Sequence, residues 1–258
     1  MGRHGGAIVA VLAAVLFTGW GRAGGQETSH GGILRGPSHE KRIALEFTGH
    51  EFAEGGEVIL DRLARHGAKA SFFFTGDFLR RTGFAPLVRR IVREGHYLGP
   101  HSDKHLLYCG WEASRPTLVT REAFRRDLED NLAELERFGV RRADVKYWVP
   151  PYEWYNAEIA AWSLEVGPRI VNFTPGTRAN ADYTGEADPN FVASQAILDS
   201  ILARERNDPR GLNGFLLLMH VGAGPGRRDQ MHDRLGELLE ALAARGYRFV
   251  RVDDLLAH

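Results

Sequence analysis

The sequence predicts an α/β protein with a distorted (β/α) barrel of about seven parallel strands. Three observations predict it: short apolar runs alternate with amphipathic stretches, five of these stretches end in a glycine stop signal, and no linker interrupts the pattern. The roughly 220 residues from Lys41 onward are fewer than the about 250 of an eight-unit barrel, so about seven units fit better. An open doubly wound sheet is the competing architecture, but no glycine-rich phosphate motif follows the first strand.

The elements follow one another in regular order along the chain. The predicted strands are Arg42–Phe47, Ala70–Phe74, Tyr97–Leu98, Tyr147–Val149, Ile170–Phe173, Phe215–Met219 and Phe249–Val252. The predicted helices are Val58–Arg65, Ala85–Arg93, Arg121–Phe138, Ala157–Leu164, Phe191–Ala203 and Arg234–Ala244. Strands that alternate with helices predict a parallel sheet with crossover connections.

The N-terminal region differs from this domain. Ala7 to Phe17 is an uninterrupted apolar run, preceded by Arg3 and followed by small residues. This length is typical of the core of a signal peptide, whereas a membrane-spanning helix needs about 20 residues. We therefore expect a signal peptide over 1–25 and an exported protein, periplasmic or secreted, with an uncleaved N-terminal anchor as the alternative. Residues 26–40, rich in Gly, Ser and His, are expected to be a flexible lead-in to a catalytic domain over 41–258.

Composition excludes several classes of protein. The 258 residues include 33 basic and 33 acidic side chains, and this balance argues against a dedicated nucleic-acid binder. At 43% hydrophobic and 26% charged, the chain is globular and not disordered. Cys109 is the only cysteine, so no internal disulfide stabilises the fold.

Polar side chains follow several of the predicted strands, where parallel barrels carry their active sites. His101 and His105 come directly after the third strand, and the i, i+4 spacing on a helical turn would let both imidazoles hold one cation. Neutral imidazole suits zinc and its neighbours. His220 ends the sixth strand and offers a positioned acid or base that titrates near neutral pH. The sequence therefore predicts a metal site with acid–base chemistry at this face.

These motifs resemble the polysaccharide deacetylases of carbohydrate esterase family four. The His-Ser/Thr-x-x-His motif of that family is matched by His101, Ser102 and His105, and its Leu-x-His motif by Leu218-Met219-His220. Its Arg-Pro-Pro-Tyr-Gly motif corresponds to 149–153, with valine in place of arginine. The resemblance implies a distorted barrel, a divalent metal and a hydrolase acting on carbon–nitrogen bonds other than peptide bonds.

The first family motif, Thr-Phe-Asp-Asp-Gly-Pro, is not kept. Its ungapped counterpart is 46–51, where Thr48 and Gly49 stand in place of the aspartates that serve as base and metal ligand. We expect the third ligand to be His50 or Glu51, with His50 preferred and Glu46 and Asp103 next. The fourth motif has no clear counterpart, although Asp182-Tyr183 lies in the corresponding region.

From this resemblance we assign each candidate a role. His101, His105 and His50 would hold the metal, most simply zinc, which would lower the pKa of a bound water. Glu51 or Glu153 would remove the water proton, and His220 would protonate the leaving group. Tyr152, Trp154 and Asn172 would contact the carbohydrate, and the aromatic side chains of Trp111 and Tyr155 could also stack on sugar rings.

Two functions follow from these assignments. One is removal of acetyl groups from a carbohydrate, with an N-acetyl amide favoured over an O-acetyl ester. The other is a catalytically inactive protein of the same fold that binds a glycan. The His-Glu pair at 50–51 favours the active enzyme, because polar groups that converge in one cleft mark function.

Overall fold

The computed structural model describes residues 21–23 and 25–257. The strands are β1 (Gly21–Ala23), β2 (Gln26–Ser29), β3 (Gly32–Arg35), β4 (Arg42–Gly49), β5 (Ser71–Phe74), β6 (Tyr97–Pro100), β7 (Tyr147–Trp148), β8 (Arg169–Ile170), β9 (Phe215–His220) and β10 (Arg248–Val250). The helices are α1 (Gly56–Arg65), α2 (Gly76–Arg80), α3 (Ala85–Arg93), α4 (Arg121–Glu136), α5 (Ala157–Val166), α6 (Ser194–Asn207), α7 (Leu235–Ala243) and α8 (Val252–Leu255). Each predicted strand and helix has a counterpart, so the predicted α/β alternation is confirmed.

The strands curl into a distorted barrel. The main sheet runs in the order β1-β2-β3-β9-β4-β5-β6, β10 pairs with β4, and β7 and β8 form a separate parallel pair. The main-chain N–H of Val149 donates to the carbonyl of Pro100, which joins β7 to β6. On the other side, a parallel bridge between Ile33 and Val171 joins the end of β8 to β3. The short β7–β8 pair therefore completes the ring between β6 and β3.

The prediction of a flexible lead-in over 26–40 is wrong for its first ten residues. β2 and β3 form an antiparallel hairpin, and β3 also pairs with β9 in the antiparallel sense. The sheet is therefore mixed, where the sequence analysis expected parallel strands. The hairpin turns at His30 and Gly31, whose φ values of 47° and 89° lie in the left-handed region. Ile33 and Leu34 of β3 are buried in the position that a further barrel strand would occupy. A run of only two apolar residues is too short to predict a strand from the sequence.

Alternate residues of each strand face opposite sides, and this decides what lies inside the barrel. Ala44, Phe73, Leu216 and Leu218 belong to an interior apolar cluster. Their neighbours along the strands pack outward against the helices in a larger cluster, which includes Ile43, Leu45, Phe47, Phe72, Phe74, Phe215, Leu217 and Met219. On β4, the same alternation turns Glu46 and Thr48 toward the interior.

In the described part of the chain, no helix is long and apolar enough to cross a membrane. The predicted signal peptide lies almost entirely outside the described residues, so its apolar run is not part of this structure. Export therefore remains a prediction.

Candidate active site

Three histidines from two loops lie together at the end of the central strands. His50 follows β4, and the rings of His50 and His105 are stacked with centroids 4.6 Å apart and an angle of 12° between their planes. The rings of His101 and His105 are 5.0 Å apart and lie edge to face. The structure thus brings together the three residues that the sequence analysis assigned to the metal.

The backbone that carries His101 and His105 is a strained loop, so the predicted helical turn is wrong. Ser102 and His105 have φ values of 70° and 54°, in the left-handed region that L-residues seldom adopt. The Ser102 hydroxyl accepts a hydrogen bond of 2.8 Å from the main-chain N–H of His105 and closes the loop. Such strain persists only where surrounding contacts hold it, and it is concentrated at functional sites.

Helix α4 supplies these contacts from beneath the loop. The carboxylate of Asp127 accepts hydrogen bonds from the main-chain N–H groups of Asp103 and Lys104 and from the Tyr108 hydroxyl. One turn further along α4, the amide oxygen of Asn131 accepts from the main-chain N–H of His101, and its NH2 group donates to the carbonyl of Phe74. Asp127 and Asn131, at i and i+4, therefore fasten both the loop and the end of β5.

Asn131→Ala should destabilise the protein, because it removes the two buried hydrogen bonds that Asn131 makes to the main-chain N–H of His101 and to the carbonyl of Phe74. These two main-chain groups still bind each other at 3.1 Å, so the expected loss is about 0.5–1.5 kcal/mol for each hydrogen bond removed. Urea unfolding of the variant and of wild type measures the difference in free energy. An Asn131→Ala protein as stable as wild type would contradict this role.

The three histidines have the donor chemistry of metal ligands. Burial lowers the pKa of His101, and His220 and His50 lower it further, while burial and the neighbouring imidazoles lower that of His105. Burial also lowers the pKa of His50. All three imidazoles are therefore neutral at pH 7, the form that binds metals.

A main-chain hydrogen bond orients one of these rings. The Nδ1–H of His101 donates to the carbonyl of Val149 at 2.8 Å, which leaves its Nε2 lone pair free, as in many metal-ligating histidines. Within the described residues, no three His, Cys, Asp or Glu side chains are placed to hold a metal directly. The residue types and their neutral state fit a transition metal, and a change in the side-chain torsions of the stacked His50 and His105 would have to accompany its binding.

The two carboxylates proposed as base are placed very differently. Glu51 is exposed and lines a surface cavity of about 540 Å³ together with Phe52 and Phe84. Its main-chain carbonyl accepts a hydrogen bond from Arg81. In the described residues, no hydrogen bond connects its carboxylate to the three histidines, and the carboxylate is open to solvent.

Glu153 sits on a turn that the protein holds in a strained conformation. Tyr152 and Glu153 have φ values of 60° and 52°. The side-chain amide of Asn172 donates to the main-chain carbonyl of Glu153 at 2.7 Å. Burial raises the pKa of Glu153 to about 7, with Asp182 adding to the shift and His220 opposing it. A carboxyl group that titrates near neutral pH is suited to general base catalysis.

Asn172 does not have the substrate contact assigned to it. It is buried, its NH2 group binds the Glu153 carbonyl, and its amide oxygen accepts from the main-chain N–H of Phe173 at 2.7 Å. Its amide is thus committed to the protein, and Asn172 positions the turn that carries Glu153.

His220 has a carboxylate partner that the sequence pattern did not identify. The Nδ1 of His220 is 2.7 Å from Oδ1 of Asp182, and the main-chain N–H of His220 donates to Oδ2 at 2.9 Å. Burial lowers the pKa of His220, but the charge of Asp182 and its hydrogen bond outweigh burial, so the pKa is raised above its usual value. The imidazolium form of His220 is therefore favoured over that of a free histidine, and this form can donate a proton from Nε2. In the sequence, only the position of Asp182 in the region of the fourth family motif could have indicated that it is the partner of His220.

A further carboxyl group lies below these residues, on β4. Glu46 is 0% exposed, and neither of its oxygens has a hydrogen-bond partner among the residues that the structure describes. Burial raises the pKa of Glu46 to about 8, and the charge of Glu153 contributes to the shift. The sequence analysis considered Glu46 only as a reserve metal ligand.

Aromatic side chains form one wall beside His105. The ring of Tyr152 is 4.5 Å from that of His105, and Trp111 packs against both Tyr152 and Trp154. Trp111 and Tyr152 are 59% and 45% exposed, which leaves their faces open to a ligand. Trp154 is fixed from below, because its Nε1–H donates to the carbonyl of Gly110. The predicted contact of Tyr155 with sugar is wrong, because Tyr155 is 2% exposed and its hydroxyl donates to the carbonyl of Ser29.

Comparisons with known proteins agree with this architecture. The family model described as Polysaccharide deacetylase matches residues 35–171, just over half of the chain. A peptidoglycan-N-acetylglucosamine deacetylase of Bacillus cereus is 26% identical over 222 residues, which cover 85% of this chain and 70% of that protein. Bacillus subtilis PdaA, a family 4 carbohydrate esterase, has a TM-score of 0.71 at 21% identity, with 93% of this chain and 97% of that chain covered. A family pseudoenzyme from Bacillus anthracis has a TM-score of 0.67 at 18% identity, with coverage of 89% and 70%. These two structures confirm the predicted distorted barrel fold.

Proposed function

The chain belongs to the polysaccharide deacetylase family, and from this premise we propose that it hydrolyses acetyl groups on a carbohydrate. The favoured substrate is an N-acetylated hexosamine polymer or oligomer, with an O-acetyl ester as the second choice. The observation that carries the proposal is the pairing of two groups across one site. Burial raises the pKa of Glu153 to about 7, and Asp182 raises the pKa of His220 and so favours its imidazolium form. Hydrolysis of an amide requires one group that accepts a proton and another that donates one. The different surroundings of Glu153 and His220 suit the first to the role of base and the second to the role of acid.

The reaction can be written in terms of these residues. The Glu153 carboxylate accepts a proton from water as the water oxygen bonds to the acetyl carbon. The His220 imidazolium then donates its proton to the nitrogen of the sugar as the carbon–nitrogen bond breaks. Acetate and the free amine leave, and proton exchange with solvent returns both residues to their starting forms.

His101, His105 and His50 are the residues that would hold the metal on which the family generally depends. Their neutral imidazoles fit zinc or a neighbouring transition metal. When bound, such a metal polarises the acetyl carbonyl and lowers the pKa of water.

Glu153→Gln tests the base directly. The variant keeps the size of the side chain and cannot accept the proton, so kcat should fall about 10²–10⁴-fold. In wild type, the rate should rise with pH through about 7, as Glu153 loses its proton. It should fall again at higher pH, when His220 becomes neutral. Acetate release from a panel of acetylated glycans measures both effects, and a Glu153→Gln enzyme with the wild-type rate would exclude Glu153 as base.

The exposed aromatic wall is the proposed contact for the sugar rings, with Tyr152, Trp111 and the more buried Trp154 as its members. Trp111→Ala should raise KM about 2- to 10-fold, because one aromatic contact contributes about 0.5–1.5 kcal/mol. Leu164→Ala is the matched control, since Leu164 is similarly exposed at 58% and lies on α5. If both variants have the wild-type KM, the substrate binds elsewhere.

An inactive glycan-binding protein is the second candidate, since a pseudoenzyme shares the fold. It predicts tight glycan binding with no acetate release from any substrate or with any added metal.

We also propose that the protein acts outside the cytoplasm, because of the apolar run at 7–17. Fractionation of cells and sequencing of the mature N-terminus test the export.

A further inference from the structure

Charged side chains connect helix α2 to the loop that carries His101 and His105. Asp103, in the middle of this loop, is 3% exposed, and its two carboxylate oxygens accept hydrogen bonds from the Arg80 guanidinium at 2.7 and 2.9 Å. Arg80 is the last residue of α2 and also donates to the carboxylate of Asp77 in the first turn, at 2.7 Å. A two-point contact between a guanidinium and a carboxylate fixes the orientation of both groups. The Asp103 carboxylate, a reserve metal ligand in the sequence analysis, is thus bound to the protein.

The main chain of α2 binds the same loop. The N–H of Gly76 donates to the carbonyl of Ser102, whose own φ lies in the left-handed region, at 3.1 Å. The next N–H, that of Asp77, donates to the carbonyl of Asp103 at the same distance. Glycine is required at position 76, because a Cβ atom there would lie 1.7 Å from Oδ1 of Asp103. Helix α2 therefore adds a second set of contacts, besides those of α4, that hold the strained part of the loop.

The loop that carries His50 contacts the same helix. Thr75 directly precedes α2, and its main-chain N–H donates to the carbonyl of Gly49 at 3.1 Å. The Thr75 hydroxyl lies 3.1 Å from Nδ1 of His50, and it also accepts from the main-chain N–H of Phe78 and so caps the helix. One short helix is thus in contact with both loops that carry the three histidines. How firmly α2 is fixed to the loop 101–105 therefore affects the spacing between His50 and the other two histidines.

We propose that Arg80 and Asp103 are positioning residues for the metal site. Their ion pair fixes α2 against the loop 101–105 and thereby keeps the backbones of the two histidine loops at the spacing that one metal ion requires. Lys104 and Glu134 extend the network, because Lys104 Nζ lies 3.2 Å from Asp103 and Glu134 of α4 lies 3.5 Å from Arg80. Such a bidentate pair within a network contributes more than an isolated ion pair on the surface. The inference rests on the proposed function, which depends on that metal.

Calorimetric titration of the metal-free proteins with zinc alone tests the pair. Arg80→Met keeps the aliphatic part of the side chain and removes the guanidinium, so the affinity for zinc should fall about 10–100-fold, as for other residues that orient metal ligands. Arg80→Lys keeps the charge and loses the two-point contact, so its affinity should lie between those of wild type and Arg80→Met. Asp103→Asn should also weaken binding. The double variant Arg80→Met/Asp103→Asn should lose much less than the product of the two single losses, because the two residues act as one unit.

Arg90→Met is the matched control, because Arg90 on α3 is also partly buried and also binds three carboxylates, those of Glu57, Asp61 and Glu94. A merely structural role predicts that Arg80→Met and Arg90→Met lose stability in urea and keep the wild-type affinity for zinc. The positioning role predicts that only Arg80→Met loses affinity. Should Arg80→Met fail to fold, Arg80→Lys and Asp103→Asn decide the question by the same titration.

Several outcomes would overturn the inference. They are a folded Arg80→Met protein with the wild-type affinity for zinc, an equal loss of affinity in Arg90→Met, fully additive losses in the double variant, or a wild-type protein that binds no zinc. Acetate release is measured separately. If wild type binds zinc and releases no acetate, the proposed function fails, and the zinc titrations still decide the role of the ion pair.

Discussion

His105→Ala should release almost all of the bound metal and abolish hydrolysis. His105 is the central ring of the three, with contacts to both His50 and His101, so its removal leaves two donors that are not adjacent. Losing a residue that merely supports a ligand typically costs about 10–100-fold in metal affinity, and losing a ligand itself should cost more. Elemental analysis of the purified proteins should find near-stoichiometric metal in wild type and only traces in the variant.

His39→Ala is the matched control for this experiment, because His39 is exposed and belongs to neither of the two histidine loops. It should keep the wild-type metal content. Circular dichroism of His105→Ala is needed to establish that the barrel is intact. Equal metal content in a folded His105→Ala protein would exclude His105 as a ligand, whatever its activity.

The sequence allowed candidate site residues to be predicted where a single residue type, histidine, marked them. His101, His105 and His220 stand at the ends of apolar runs, and the alternation of strands and helices brings such ends to one face. His50 was found by its place on the loop after the first predicted strand. The structure brings His50, His101 and His105 together, although a strained loop takes the place of the expected helical turn at 101–105.

The contacts that support the site could not be predicted in the same way. Asp127 and Asn131 are two polar residues on a mostly polar helix, and only the tertiary structure shows that they face inward beneath the histidine loop. Asp182 lies in a long irregular segment with no periodic pattern. Residues that are tens of positions apart in the chain come into contact only through the closure of the barrel. A single sequence does not show which of them will meet.

The hairpin was missed for a different reason, because local composition pointed the wrong way. Glycine, serine and histidine around 26–40 are typical of a flexible segment, yet pairing with β9 orders the backbone. A tertiary contact therefore overrides the local signal.

His220→Gln should lower kcat about 10²–10⁴-fold while the protein keeps its metal and most of its affinity for substrate. The imidazolium acts on the leaving nitrogen, whose charge develops only as the carbon–nitrogen bond breaks, so its loss affects the transition state more than the bound substrate. Glutamine preserves much of the size of histidine and cannot deliver a proton. Acetate release, substrate affinity and metal content, measured on the same preparations, distinguish loss of the acid from loss of the site.

Asp182→Asn provides the accompanying test, because it removes the charge that keeps His220 protonated and leaves the imidazole in place. Burial would then lower the pKa of His220 with only the smaller contribution of Glu153 against it, since the opposing contribution of Asp182 is gone. The alkaline limb of the pH profile should therefore move to lower pH, and activity at acidic pH should be affected less than activity above neutral pH. A profile that does not move in Asp182→Asn, together with a wild-type rate in His220→Gln, would assign the proton donor to another group. If His220→Gln loses rate and the pH profile of Asp182→Asn shifts as predicted, the histidine–aspartate pair is the acid of an active hydrolase. A glycan-binding pseudoenzyme has no need of such an acid.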